Sequence, residues 1–407
     1  MVVKLVNFSV TNFRSITKAH KIAISETTIL IGKNNEGKSN ILKALTVAMN
    51  LLERHARFLS GRVIPSARRY REDERFYFWE RDFPINLQLR KSKAKSTFRL
   101  EFLLNQEEIR EFKEVIKSNL NGALTLEIKI GKDNQPSTKV SKRGRGAETL
   151  NSKSEKIARF IAERISFNYI PAVRTDKEAL SVIQNMLSQE LRDLEQEEKY
   201  QEALKIIADL QQPILKNLAN KIKEPLSEFL PNITDVQIEI PENERRIGLR
   251  REFTVVINDG TPTNIEYKGD GVKSLAALAL LKDRHITNGV SVIAIEEPES
   301  HLHPAAIHQL NKIIASLTDA NQVILTTHNP LFVDRYDLNS NIIIDNGKAT
   351  PAKNIKSIRE LLGVKASDNL TNANYALVVE GEEDAKALHA LLPQLSAQIG
   401  KFLKSHM

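Results

Sequence analysis

Residues 29–39 read ILIGKNNEGKS. The apolar run Ile29, Leu30 and Ile31 reads as a buried strand ending at Gly32, and residues 32–39 then match G-x-x-x-x-G-K-[ST] in full. The spacing suits a phosphate. Gly32 and Gly37 let the backbone wind so that successive N–H groups point inward, and Lys38 reaches the outer phosphates. The Ser39 hydroxyl can ligate Mg²⁺ while the N-terminus of the following helix adds its dipole. That helix is expected from Ser39, with Ile41, Leu42, Leu45, Ala48 and Met49 on one face. A chance glycine-rich turn would share the letters but not the strand before and the helix after. Asn34, Asn35 and Asn40 complete the nucleotide-binding set.

A partner for this loop stands in the other half of the chain. Residues 291–297 read SVIAIEE, an apolar strand ending in two carboxylates and followed by Pro298. Two acids at a strand end divide the labour of phosphoryl chemistry: Glu296 holds Mg²⁺ through water and Glu297 polarises the attacking water. Thr326-Thr327-His328 follows a second apolar strand, which places His328 to touch the terminal phosphate or that water. Lys38, Glu297 and His328 are therefore the candidate catalytic residues, with Ser39 and Glu296 the candidate metal ligands.

Composition narrows the rest. The chain has 407 residues, 27% charged and 41% hydrophobic, with 59 Lys+Arg against 51 Asp+Glu for a net charge of +8. That is ordinary for a globular protein with at least one large core. With no cysteine, disulfides, thiol catalysis and zinc sites built on Cys are excluded. The longest apolar run, residues 275–281, is far short of the roughly 20 residues that span a bilayer. MVVKLVNFSV is a strand-like alternation rather than a signal peptide. The chain reads as cytoplasmic, without a membrane partner.

Along the chain, strand-like stretches recur between about 85 and 131 (INLQLR, TFRLEFLL, ALTLEIKI) around a helical piece at 106–118, and residues 132–155 read as a polar, exposed loop. Residues 176–230 are helical, with Leu180, Ile183, Leu187, Leu191 and Leu194 on one face and Pro213 and Pro225 punctuating the later part. Asn258-Asp259-Gly260 marks a hairpin.

Together the motifs resemble ABC-type ATPases of the SMC and RecF group, and most closely the OLD family of ATP-dependent endonucleases. VVKLVNFSVTNFRSI looks like that group's first strand, with Arg14 near the nucleotide; EEPESHLHP looks like Walker B and D-loop, and TTHNPLFVD like the switch histidine followed by a helix. The resemblance implies an α/β ABC-type ATPase fold with a P-loop and mixed sheets, a helical insertion and a truncated Toprim-like βα unit. It also implies ATP and Mg²⁺ as ligands. The corresponding domains are an N-terminal lobe (1–175), an insertion suited to dimerisation (176–230), a C-terminal lobe (231–370) and the beginning of a Toprim domain (371–407). LSGGQ is absent. In its place YKGDGVKSLAALALL looks like a degenerate signature, whose Lys268, Gly269, Asp270, Gly271 and Ser274 would complete the ATP site of a second protomer. A Q-loop glutamine is not identifiable; Gln88 and Asp82 are candidates only.

Residues 375–380 read YALVVE, a strand closing on an acid, and EEDAKALHALL comes after Gly381. Glu380 and Asp384 resemble the opening carboxylates of a Toprim site for Mg²⁺ or Mn²⁺, while acids at a helix N-terminus are also favourable in themselves. Toprim chemistry needs a later D-x-D pair, and no two aspartates here are separated by a single residue. The expectation is a chain ending inside its Toprim domain. Arg54, Arg57, Arg62, Arg68, Arg69 and Arg71, and Lys142, Arg143 and Arg145, contact DNA phosphates or form a solvated basic surface.

Two functions remain. One is a dimeric or larger homo-oligomeric ATPase that controls DNA binding or cleavage, in phage defence or DNA processing. The other is a non-nucleolytic switch whose effector activity lies on a partner protein. A transporter motor is disfavoured by the missing LSGGQ.

Overall fold

The computed structural model describes residues 3–59, 76–89, 94–141, 147–172, 183, 187, 191, 194, 195, 197–229, 235–251, 254–258, 260–269, 272, 273, 276, 290–300, 302–363 and 379–395. The chain divides into two compact units, residues 1–169 with 285–407, and residues 170–284.

The first unit opens with strands β1 (Lys4–Phe13), β2 (Ile16–Ala23) and β3 (Thr27–Ile31), then helix α1 (Lys38–Leu59). Short helices α2 (Trp79–Asp82) and α3 (Ile85–Gln88) come next, then β4 (Ser96–Leu103), α4 (Gln106–Ile116), β5 (Ala123–Ile130) and β6 (Ser137–Val140). Helices α5 (Ala147–Asn151) and α6 (Ser154–Ala162) lead to β7 (Ile165–Ile170). The chain returns to this unit with β10 (Val290–Glu296), α9 (Pro304–Leu317), β11 (Gln322–Thr327), β12 (Asn341–Asp345), β13 (Lys348–Pro351), α10 (Ile355–Leu362) and α11 (Glu382–Leu395).

Two sheets result. One is antiparallel, in the order β2-β1-β4-β5-β6; the other runs β13-β12-β3-β11-β10-β7. In the second, β12, β3, β11 and β10 run parallel to one another, and β13 folds back antiparallel on β12. Helix α1 touches β1 and β4 of one sheet and β10 and β11 of the other. Ile41, Leu42, Ala44, Leu45, Val47, Ala48, Met49, Leu51 and Leu52 are all buried, more than the single stripe of a surface helix. The N-terminus of α1 is thus fixed by packing on both flanks.

Gln322, 1% exposed at the start of β11, joins the two sheets. Its Oε1 accepts from the Leu5 N–H at 2.9 Å and its Nε2 donates to the Leu5 carbonyl at 2.8 Å. β1 slips register beside this point, between Leu5 and Asn7 against β4, so the side-chain amide serves a backbone pair at a ladder irregularity.

Three local expectations differ from what forms. INLQLR is not a strand: Pro84 stands at the N-cap of the one-turn helix α3, and Leu89 after it is exposed. The region 132–155 carries β6, α5 and the start of α6, anchored by two buried apolar residues, Val140 and Leu150. In the second unit, helix α7 (Glu198–Phe229) runs through both Pro213 and Pro225 over 32 residues. An interior proline ordinarily costs a helix roughly 3 kcal/mol, and this helix continues past both. The same unit holds α8 (Glu242–Arg251) and the expected hairpin, β8 (Val256–Asn258) with β9 (Pro262–Asn264), where Gly260 has φ +116° and donates its N–H to Asn258 Oδ1.

Replacing Gln322 by Leu keeps the volume and leaves the buried Leu5 N–H and C=O unpaired. We expect a loss of about 2–4 kcal/mol in urea unfolding; a loss below about 0.5 kcal/mol would show that the amide does not tie the sheets.

Candidate nucleotide site

Parallel strands aligned in register release their connections at one edge, and this edge collects the motif residues. Thr326 pairs with Leu30 on one side and with Glu296 on the other, and Thr327 pairs with Ile31. The residues after β3, β10 and β11 are the phosphate loop, Glu297 and His328. Segments from the two ends of the chain therefore emerge side by side.

The loop itself follows the pattern inferred for Gly37 but not for Gly32. Gly37 has φ +106° and Asn35 is left-handed at φ 66°. Gly32 is needed for another reason. A Cβ there would lie 2.5 Å from the Ile344 carbonyl oxygen of β12, so the neighbouring strand excludes a side chain. The β12–β13 turn grips the loop further on: the Gly347 N–H donates to the Glu36 carbonyl at 3.1 Å and the Asn346 N–H to the Glu36 carboxylate. Asn34 and Asn35 are exposed, whereas the Asn40 amide donates to Ser15 Oγ at 2.8 Å and so braces the β1–β2 turn.

Lys38 is 5% exposed. Its ammonium donates to the carbonyls of Gly32 at 2.8 Å and Lys33 at 3.0 Å, folded over the loop that it would serve. Burial pushes its pKa down, and the carboxylates of Glu297, Glu299 and Glu36 pull it partly back. That coupling links the loop electrostatically to Glu297 and Glu299. Ser39 lies half-buried in the first turn of α1.

Each acid after β10 has its own environment. Glu296, 5% exposed, accepts from the Tyr169 hydroxyl through Oε2. Glu297 is left-handed, φ 43°, and its N–H is held by the Thr326 carbonyl at 3.0 Å and hydroxyl at 3.1 Å. A non-glycine residue in that region costs about 1–2 kcal/mol, which the two acceptors offset. The Glu297 Oε1 lies 3.1 Å from His328 Nε2. A third acid, Glu299, takes the Thr327 hydroxyl at 2.6 Å and the His328 and Asn329 N–H groups at 2.8 and 3.2 Å, all on Oε1.

Arg14 sits one residue before Ser15, whose Oγ would lie 3.4 Å from a Cβ on Gly37. It is left-handed (φ 50°) and bound twice to Asp82: its N–H donates to the Asp82 carbonyl at 2.7 Å, and Nε to Oδ1 at 2.9 Å. Asp82, fully buried, also receives Arg81 and the Phe78 N–H. Burial would raise this carboxyl, but hydrogen bonds from Arg81 and Phe78 and the charge of Arg14 prevail and hold it below the ordinary carboxylate range. Asp82, considered for the Q-loop, is thus engaged as the anchor of Arg14. The Gln88 amide donates to the Glu80 and Phe83 carbonyls and closes the α2–α3 turn.

A mixed α/β sheet with a phosphate loop, acids and histidine on one edge is an ATPase architecture. The chain belongs to the AAA ATPase domain family, which matches residues 3–333. It is 23% identical over 447 aligned positions to the Old nuclease of Escherichia phage P2, covering 97% of this chain and 71% of that protein. It is 26% identical to the OLD nuclease of Thermus scotoductus over 145 positions, 31% of this chain and 28% of that protein. Among solved structures, the SMC head domain from Thermotoga maritima matches at 13% identity, covering 86% of this chain and 99% of that one, with a TM-score of 0.38. ATP hydrolysis is the activity of this AAA ATPase family, and the resemblance to OLD nucleases drawn from the motifs is matched by both of these relatives.

The other candidate residues are described by their own surroundings. Lys268 follows a one-turn 3-10 helix, Ile265–Tyr267, and the Gly269 carbonyl accepts from the Val272 and Lys273 N–H groups. Asp270, Gly271 and Ser274 lie outside the described residues, as do residues 375–378 and the side chains of the two basic clusters. Glu380 and Asp384 are exposed, and Asp384 accepts the Gly381 N–H at 3.1 Å at the start of α11. Among the described residues no group of three or more acids and histidines is arranged to hold a metal ion, and no described helix is long and apolar enough to cross a membrane.

Glu299, Tyr169 and the 346–347 turn were not singled out from the sequence. Asp345-Asn346-Gly347 is a hairpin signal that could have been read, and Glu299 stands two residues after Glu297. Tyr169 carries no motif of its own.

Replacing Asp82 by Ala leaves the half-buried Arg14 guanidinium and the Phe78 N–H without their acceptor and should cost about 1–3 kcal/mol at pH 7 in thermal or urea unfolding. The folded carboxyl titrates below its unfolded value, so its contribution is complete above the unfolded pKa of about 4 and fades as acid carries the pH lower. The difference between wild type and variant should therefore shrink by pH 3, and a constant difference would show that the charge is not involved.

Proposed function

We propose that the chain is a Mg²⁺-dependent ATPase that closes as a dimer around ATP and couples that closure to DNA. The observation that supports this best is the shared register of β3, β11 and β10, with Lys38 electrostatically joined to Glu297 and Glu299. The donor set suits the ligands: a hydroxyl and a carboxylate are hard oxygen ligands of the kind magnesium takes, and a buried ammonium that donates to two carbonyls can donate to phosphate oxygens instead. When bound, magnesium would neutralise charge between the outer phosphates.

In this reading the N–H groups of residues 34–39 cradle the phosphates, and Lys38 turns from the Gly32 and Lys33 carbonyls to the outer phosphate oxygens. Ser39 and Glu296 hold the metal, with Glu296 kept in place by Tyr169. Glu297 would accept a hydrogen bond from the attacking water and take its proton as the water oxygen bonds to the terminal phosphorus and the bond from that phosphorus to the bridging oxygen breaks, releasing ADP and phosphate. His328, fixed against Glu297, meets the terminal phosphate. Arg14, clamped by Asp82, stands at the flank of the loop. The Lys268–Gly271 loop and Ser274 of a second protomer would complete the pocket.

Dimerisation is supported by α7, where Ile206, Leu210, Ile214, Leu218 and Ile222 stand exposed at four-residue intervals. Residues four apart are neighbours on a helix, so the five form a continuous apolar ridge winding along α7, and such a ridge suits a second copy. Coupling to DNA, and a role in phage defence or DNA processing, rest on the likeness to OLD nucleases. The second reading, a non-nucleolytic switch with a partner effector, draws on Asp384, whose carboxylate is engaged by the Gly381 N–H at the start of its own helix.

Lys38→Ala should abolish ATP turnover, at least about 100-fold by phosphate release; unchanged turnover refutes the pocket. Glu297→Gln should retain ATP while stopping hydrolysis and accumulate dimer in size-exclusion chromatography with ATP. Loss of ATP affinity instead would move the catalytic role elsewhere.

A further inference from the structure

Glu299 is used by none of the steps above, yet it is the most heavily hydrogen-bonded acid at the edge. Its Oε1 gathers three donors from consecutive residues: the Thr327 hydroxyl at 2.6 Å, the His328 N–H at 2.8 Å and the Asn329 N–H at 3.2 Å. Successive main-chain N–H groups converging on one oxygen form an anion nest, and here the anion is supplied by the turn that also carries Glu297. That turn is closed on itself, with the Ser300 N–H donating to the Glu297 carbonyl at 3.0 Å. The Asn329 N–H is shared with Thr327 Oγ1 at 2.9 Å, and the Asn329 side chain accepts the Leu331 N–H at 3.0 Å, so the loop beyond β11 is closed as well.

The two turns are therefore joined twice. Glu297 meets the His328 ring at Nε2, 3.1 Å away, and Glu299 holds the His328 main chain. With the backbone on each side of His328 fixed by one carboxylate, the reach of the imidazole toward the other is set without using the ring's second nitrogen. Bonds from N–H groups to a carboxylate are charge-assisted, shorter and stronger than neutral ones, which suits a junction that must not drift. The other oxygen of Glu299, Oε2, is buried and has no hydrogen-bond donor among the described residues, so the carboxylate is retained there at a cost for what Oε1 does. The Glu299 charge also reaches the Lys38 ammonium, so the same turn lies within electrostatic range of the phosphate loop.

We propose that Glu299 is a positioning residue for the ATPase reaction: it sets His328 against Glu297 by holding residues 327–329, and its main effect on turnover runs through His328. This rests on the ATPase reading of the same site.

The test uses the full chain, steady-state ATP hydrolysis with Mg²⁺, and titration with a fluorescent non-hydrolysable ATP analogue. Glu299→Ala should lower kcat roughly 30- to 100-fold, a range typical of a displaced acid–base partner, with KM and analogue affinity within about 3-fold of wild type. Glu299→Gln keeps an oxygen that accepts the same three donors and should restore kcat to within about 5-fold. In a His328→Ala background, Glu299→Ala should cost less than about 3-fold more, because both changes remove one function. Losses that multiply in the double variant, or full turnover in Glu299→Ala, overturn the proposal. If Glu299→Ala also loses the analogue, Thr327→Val carries the test, since it deletes one donor from the nest: a several-fold fall in kcat at unchanged analogue affinity upholds the role, and no fall overturns it. Turnover that survives Lys38→Ala refutes the ATPase assignment of the pocket, and Glu299 with it, whereas Lys38-dependent turnover indifferent to Glu299→Ala overturns Glu299 alone.

Discussion

Hydrogen-bond register between β3, β11 and β10 is the constraint on which the rest of the site depends. Thr326 stands between Leu30 and Glu296, and adjacent strands lie about 4.8 Å apart, so the acid that ends β10 and the loop that leaves β3 are separated by roughly two strand spacings. A slip of one residue would turn every side chain on a strand to the opposite face. It would move Glu296 and the buried Thr326 and Thr327 out of position together. The burial of β11 on both faces, with all six residues buried, makes such a slip costly, and Gln322 at its start locks the strand to Leu5 of the other sheet.

The phosphate loop is held in shape by a neighbour as much as by its own glycines. Ile344 of β12 lies so close to Gly32 that no Cβ fits, and the next turn of the chain, Asn346-Gly347, binds both the carbonyl and the carboxylate of Glu36. The loop is thus gripped near its start and near its tip by one hairpin. A loop preformed in this way loses less chain entropy when a ligand arrives. The cost is that Gly32 is committed twice, to the hairpin and to the phosphate, so its replacement by any other residue would disturb the sheet before it disturbed the ligand.

How much of this was readable in advance depended on the range of the forces involved. The P-loop, the Glu296–Glu297 pair and His328 were legible because each combines a local motif with an apolar strand, and strands of that kind are set by short-range pattern. Asn258-Asp259-Gly260 was legible for the same reason. Gln88 and Asp82 show the limit: their identity suggested a nucleotide contact, but the amide closes its own turn and the carboxylate serves Arg14, a pairing 68 residues apart that no local pattern encodes. INLQLR alternates like a strand, yet Pro84 starts a single helical turn there and no described strand pairs with it. Pro213 and Pro225, read as punctuation of a helical stretch, both lie inside one 32-residue helix. Tyr169 reached Glu296 across 127 positions and left no trace in the sequence.

The three acids after β10 are chemically alike, and their surroundings separate them. Glu299 Oε1 already accepts three donors and Oε2 is sealed from solvent, so neither oxygen is open to an incoming water. Glu296 is 5% exposed with one oxygen taken by the Tyr169 hydroxyl, which suits a fixed ligand rather than a proton acceptor. Glu297 retains 20% of its side-chain surface, faces His328 through Oε1, and stands on a left-handed backbone that turns it out of the strand. A base needs an accessible lone pair near a group that can orient it, and among these three only Glu297 combines exposure with such a neighbour. Elimination by environment therefore supports the same division of labour that the motif suggested, and it does so from hydrogen-bond occupancy rather than from the order of letters.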